Sequence, residues 1–354
     1  MPYSQALNWE AELFVLVDTT VAKKRAQAQM ERTITAALGY KGELNVGFPA
    51  GNFDRAVYTG GVEDLWAAFS PPEQEDSTKR YWNGFGVFRE GAGAQNITVE
   101  INIALHVNTA RVAGYFAQEP VSGAIYLMHS GKIGGGRLGV GKSAFLAWSK
   151  SELVGTADGE GDVRGGIVIG RIDDPDLAGR IWRFVQLVAA FKAAAVAGEL
   201  ETNEFRAKVE AYDRYRKEFS GRKRGARAGG AVDYLSYHGD VVQALYEERA
   251  SKLRNGEEVA NNGLIDLFVK ERGRITEVYE VKTTTERQAM YTAIGQLLTH
   301  GAHSNKRFIV LPAGEPIASD FSAALNLHEI AVRRFELVSD RKSKRVTLLA
   351  EGRG

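Results

Sequence analysis

The chain contains no cysteine. That absence excludes disulfide frameworks, thiolate metal sites and cysteine nucleophiles together, and it is compatible with a cytoplasmic setting. Nor is there an excess of charge of either sign. Forty-five Lys and Arg stand against 44 Asp and Glu, a formal net charge of +1, so attraction to a polyanion has to come from local clusters rather than from the whole surface. Long apolar runs are missing too: the most apolar stretch, 181–197, is interrupted by Arg183 and Lys192 and is too short to span a bilayer. The opening residues, MPYSQALNWEAELF, lack the basic region, apolar run and cleavage site of a secretory signal. A soluble protein with no membrane partner is expected. What remains is an ordinary globular composition, 44% hydrophobic and 25% charged over 354 residues, long enough for separate recognition and catalytic modules.

The hydrophobic periodicity points to an α/β (α+β) protein with three segments. Residues 1–203 read as a mixed α+β recognition or regulatory region. It starts with the strand-like ELFVLVD, continues with a helix over 20–38, and passes a polar break at 70–79. From Asn96 the pattern becomes strand-like, with NITVEINIALHV, VAGYFAQ, GAIYLMHSG and GGIVIGRI divided by turn residues. Asp174 and Pro175 suit a helix start, and that helix should run to about Ala197. Trp82, Phe85 and Phe88 read as core aromatics rather than as a cage for a base. Residues 204–232 read as a helical, basic linker. Its Arg222, Lys223, Arg224 and Arg227 suit either a solvated, flexible joint or a strap against DNA phosphates.

Residues 233–354 form the third segment. A helical pattern places Val241, Val242, Leu245 and Leu253 on one side, and strand-like runs follow at 264–269 and 275–282 around the polar turn ERGR. A helix over about 286–300 and the apolar strand KRFIVLP complete the order helix, strand, strand, helix, strand.

The chemistry sits on that hairpin. Phosphodiester hydrolysis with a hard cation needs carboxylates to hold it and a nearby ammonium to orient water and offset phosphate charge. Side chains two apart in a strand share a face, so Glu280 and Lys282 project together while Val281 points into the apolar layer. The Val281 carbonyl offers a further ligand. With the turn near 272–273, Asp266 falls about opposite Glu280, and both carboxylates can converge on one ion.

These residues, I-D266 followed by E280-V-K282, resemble the PD-(D/E)XK, or restriction-endonuclease-like, nuclease superfamily over roughly 233–312. Ile265 stands where the family name has proline. The resemblance implies an αβββαβ core with a central mixed sheet, Mg²⁺ (or Mn²⁺) bound by Asp266 and Glu280, and Lys282 acting on water. It further implies a role for Gln296 from the following helix. Glu248 and His238 are candidate accessory groups, although a boundary glutamate that reaches solvent and a helix-start or core histidine are the plainer readings of these positions. The implied activity is that of a type II- or IV-like restriction endonuclease on double-stranded DNA. A duplex break needs two such sites, so a homodimer is expected.

A rival motif lies at 136–143, where GRLGVGKS fits the phosphate-loop pattern G-x-x-x-x-G-K-[ST]. It implies an ATP-binding switch built on Lys142 only if the loop joins a strand of a parallel sheet to a helix. The same glycine-rich stretch also reads as a mobile hairpin whose Lys132, Arg137 and Lys142 contact DNA phosphates. A DNA-binding module without catalysis is the remaining alternative.

Overall fold

The computed structural model describes residues 13–48, 51–72, 79–106, 112–134, 140–149, 151, 153–219, 237–262, 265–304, 306–339 and 344–349. The chain divides into two compact units, Met1–Gly229 and Gly230–Gly354, and each mixes helices with a sheet. Among the described residues no helix is long and apolar enough to cross a membrane.

The first unit opens with β1 (Phe14–Leu16) and α1 (Thr20–Ala37). Thr19 starts the helix by accepting the amide of Ala22, and Ala26, Met30 and Ile34 recur at helical spacing on its buried side. An antiparallel meander follows: β2 (Gly39–Phe48), β3 (Gly51–Thr59), β4 (Leu65–Ser70) and β5 (Arg80–Val87). The continuous strand expected from Asn96 is broken into three pairings of two residues each, β6 (Gln95–Asn96), β7 (Val99–Glu100) and β8 (Ile103–Ala104). The interruption has a local cause, because the Asn102 side chain accepts the Asn83 amide at 2.9 Å, a place a ladder carbonyl would otherwise fill.

Next come β9 (Gly114–Gln118), β10 (Ile125–His129), α2 (Lys142–Ser149), β11 (Val154–Ala157) and β12 (Val163–Arg171). Strand β1 pairs with both β11 and β9, so β1, β11, β12, β10 and β9 close into a ring of hydrogen-bonded neighbours. Helix α3 (Leu177–Val196) begins three residues later than Asp174, whose carboxylate takes the Asp176 amide at 3.0 Å and shapes the turn before the helix. The expected linker starts as α4 (Asn203–Phe219), whose Phe205, Val209 and Tyr212 pack on the core of this unit. Its basic residues Arg222, Lys223, Arg224 and Arg227 lie outside the described residues.

The second unit runs α5 (His238–Ala250), β13 (Glu257–Asn262), β14 (Ile265–Glu271), β15 (Arg274–Val281), α6 (Arg287–His300), β16 (Lys306–Pro312), α7 (Ser319–Leu327), β17 (Ile330–Ser339) and β18 (Lys344–Leu348). The strands stand in sequence order in one mixed sheet, with β15, β16 and β17 parallel and the outer pairs antiparallel. Its first six elements are αβββαβ. Leu253 falls beyond α5 and is exposed.

The turn between β14 and β15 follows from its two central residues. Arg272 and Gly273 have φ of 51° and 83°, as a two-residue type I′ loop demands. Alternation then sorts the sheet into two faces. Val241 and Leu245 of α5 pack with Leu267, Tyr279, Val281 and Val310, while Met290, Ala293 and Leu297 of α6 pack with Phe268, Val278 and Ile309. Each such fully buried aliphatic side chain contributes about 1.5–3 kcal/mol relative to exposure.

Candidate active site

Strand register brings the hairpin carboxylates together. Leu267 pairs with Tyr279, so one step further along the same register Asp266 lies opposite Glu280. Side chains of such a pair stand on the same face. Glu280 shares that face with Val278 and so projects on the α6 side of the sheet. Lys282, two residues on, follows it. Its ammonium donates to Glu280 Oε1 at 2.9 Å and to Gln296 Oε1 of α6 at 3.4 Å. Side-chain exposure is 2% for Glu280, 12% for Lys282 and 11% for Asp266, which makes the trio a largely dehydrated group at the end of β15.

Asp266 is fixed by the backbone. Its Oδ2 accepts the Val281 amide at 2.8 Å, so the carboxylate takes the place of a ladder carbonyl. In an extended residue the N–H and C=O point to the same side, and the Val281 carbonyl is therefore directed toward β14 as well. His238 also arrives here. The first residue of α5, it places Nε2 3.5 Å from Asp266 Oδ2.

Comparison with family models, curated proteins and solved structures gives no match for the chain.

Glu248, the other accessory candidate, belongs to a separate cluster. Arg333 donates to both of its oxygens at 3.2 and 3.0 Å, and Lys252 donates to Oε1 at 2.7 Å. Burial pushes its carboxyl up, but the hydrogen bonds from Lys252 and Arg333 outweigh that and hold it below the ordinary glutamate range.

The donor set suits a hard cation. Among the described residues no group of three or more His, Asp or Glu side chains is gathered for a metal. Mg²⁺ does not need one, because it commonly uses one or two carboxylates, retains waters and takes its remaining ligands from a phosphate. Asp266, Glu280 and the Val281 carbonyl are all oxygen donors, and the two carboxylates come from neighbouring strands.

One supporting contact gave no signal in the sequence. Immediately after Lys282, Thr285 donates to Glu315 Oε2 through its amide at 2.6 Å and its hydroxyl at 3.0 Å. That clamp ties the segment leaving β15 to the turn after β16. The partners are thirty residues apart, and no local pattern links them.

The glycine-rich loop of the first unit has different surroundings. Gly136, Arg137, Leu138 and Gly139 lie outside the described residues. Lys142 does open α2, but the Ser143 hydroxyl donates to Asp213 at 2.7 Å. The preceding strand, β10, is antiparallel to both its neighbours, so the parallel sheet that a phosphate-loop nucleotide site requires is not formed around it. His129, at the end of β10, is fully buried and accepts the Gly131 amide on Nδ1 at 3.1 Å. Burial, followed by the nearby Lys142 charge, lowers its pKa to about 3. Lys132 is exposed and Lys142 half-buried.

Proposed function

We propose that the second unit is a Mg²⁺-dependent DNA endonuclease module of the PD-(D/E)XK, restriction-endonuclease-like type. The observation that carries this reading is the meeting of Asp266, Glu280 and Lys282 at the end of one hairpin, with the ammonium 2.9 Å from a buried carboxylate. The αβββαβ order and the approach of Gln296 support it. Asp266, Glu280 and the Val281 carbonyl hold the cation. When bound, Mg²⁺ polarises a phosphoryl oxygen and acidifies water.

The protein's own groups do the rest. Lys282 presents its ammonium to the attacking water and to the negative charge that develops on the phosphate. Gln296 limits its wandering by holding a second point of contact. Glu280 holds the ammonium at 2.9 Å in a site largely closed to solvent. His238 lies near enough to Asp266 to orient its carboxylate. Double-stranded DNA is the proposed substrate, with sequence or modification read by the first unit. Lys132, Arg137, Lys142 and the basic residues 222–227 supply phosphate contacts, and two copies of the chain act together to cut both strands.

The test is incubation of purified protein with modified and unmodified plasmid DNA in Mg²⁺, Mn²⁺ or EDTA. Cleavage in Mg²⁺ that is lost in EDTA and in Asp266→Ala and Lys282→Ala is the expected result. DNA binding without cleavage of either plasmid under any of these conditions points instead to a catalytically inactive DNA-binding module.

A further inference from the structure

The first unit contains a cavity of about 370 Å³ between α1 and strands β3 and β4, within the range of small-ligand sites, about 300–1,000 Å³. Its walls are chemically divided. Ala28 on the helix and Ala56 on β3 are small enough to leave the space open, while Tyr58 and Phe69 supply an aromatic side. Their ring centroids are 6.3 Å apart and tilted by 48°, and Phe85 backs Phe69 at 6.0 Å. Glu31 and Arg32, adjacent on α1, bring a carboxylate and a guanidinium to the same space.

The carboxylate is held by a buried chain of amides. Gln27 donates to Glu31 Oε1 at 2.7 Å and to Asn83 Oδ1 at 2.6 Å, and Asn83 donates to the Ile101 carbonyl at 2.9 Å. Gln27 and Asn83 are essentially inaccessible to solvent. Among the described residues no cationic side chain lies within ion-pair reach of Glu31. Arg32 spends one donor on Gln29 at 2.7 Å, and four of its five remain. A rigidly held acceptor, an adjacent donor fork and an aromatic wall are the elements by which proteins take up one planar, hydrogen-bonding heterocycle.

We propose that this cavity receives a single unstacked base from the DNA substrate, one whose edge sets an amino donor beside an acceptor, as cytosine does. Glu31 accepts from its exocyclic amino group, Arg32 donates to its acceptor edge, and Tyr58 stacks against its ring. The inference rests on the DNA reading of the chain and assigns the first unit the task of inspecting a base taken out of the duplex.

The test uses the full chain, without divalent cation, and a short duplex carrying one pyrrolocytosine whose emission rises on leaving the base stack. Anisotropy of an end label reports total binding. Emission should rise together with anisotropy. Tyr58→Ala should weaken the emission-reported binding roughly 5- to 100-fold, the range seen when a stacked base loses its aromatic partner. Ala56→Leu should remove the emission change by filling the space while leaving Glu31, Arg32 and Tyr58 in place. Anisotropy that rises with flat emission overturns the pocket and leaves DNA binding standing, whereas flat anisotropy overturns both. An emission rise that survives both substitutions shows that the base goes elsewhere and also overturns the pocket.

Discussion

Replacing Lys282 with Met keeps the volume and apolar stem of the side chain but leaves Glu280 without its ammonium. Because Glu280 is 2% exposed and Lys282 12%, the variant strands a charge in a dry place. Breaking one side of a buried pair costs about 3–5 kcal/mol, and the partial access at Lys282 puts the loss near the lower figure, about 3. A unit of this size shifts its melting midpoint by about 3–5 °C per kcal/mol, so a drop of roughly 10 °C is expected. Glu280→Gln should cost less, about 1 kcal/mol, since Lys282 retains Gln296 and a route to solvent.

Millimolar Mg²⁺ should return part of the loss by replacing the missing positive charge. Calorimetry can assign the transition because all five tryptophans, Trp9, Trp66, Trp82, Trp148 and Trp182, precede Gly230. A midpoint within 2–3 °C of the parent (about 1 kcal/mol or less) would refute the argument by showing that Glu280 is hydrated.

Three further outcomes follow from the geometry. Asp266→Asn preserves an acceptor for the Val281 amide, so melting should stay close to the parent while Mg²⁺-dependent plasmid cleavage drops at least about 100-fold. Glu248→Gln should leave cleavage nearly unchanged but cost about 1–2 kcal/mol at neutral pH. Since the folded carboxyl lies below its unfolded value, that deficit is complete above about pH 4.3 and fades as acid removes the parent's own advantage. His129 is neutral when folded, with a pKa of about 3, whereas the unfolded side chain takes a proton near 6.5. The first unit should thus lose up to about 1.4 kcal/mol per pH unit below 6.5. Tryptophan-monitored denaturation from pH 7 to 5 checks this, and His129→Gln should flatten the dependence.

The parts legible in the sequence are those whose causes are local. Helix α1 shows itself in the helix-forming Ala, Gln, Lys and Arg over 20–38, and the β14–β15 hairpin shows its alternation and turn residues, from which the facing of Asp266 and Glu280 follows. Strand β13 did not show itself, because EEVANN offers only Val259 and Ala260 to an apolar face and is otherwise made of poor strand formers. Strand β3, GNFDRAVYT, is hidden for a related reason: its first four residues are exposed and only Val57 is buried. The ring closed by β1, the Glu315 clamp and the amide chain behind Glu31 depend on contacts between distant segments, which composition and periodicity do not encode. Glu248 illustrates the converse case. Its phase on the helix is plain, but its partner, Arg333, lies 85 residues away.

The bond from the Val281 amide to Asp266 makes assembly and competence inseparable. A slip of β14 by one position would send Asp266 to the opposite side of the sheet and, in the same movement, deprive that amide of its acceptor. Mispaired chains would then be less stable and, on the proposed nuclease reading, inert, so the fraction of a preparation able to cut DNA would report the hairpins that closed in the right alignment.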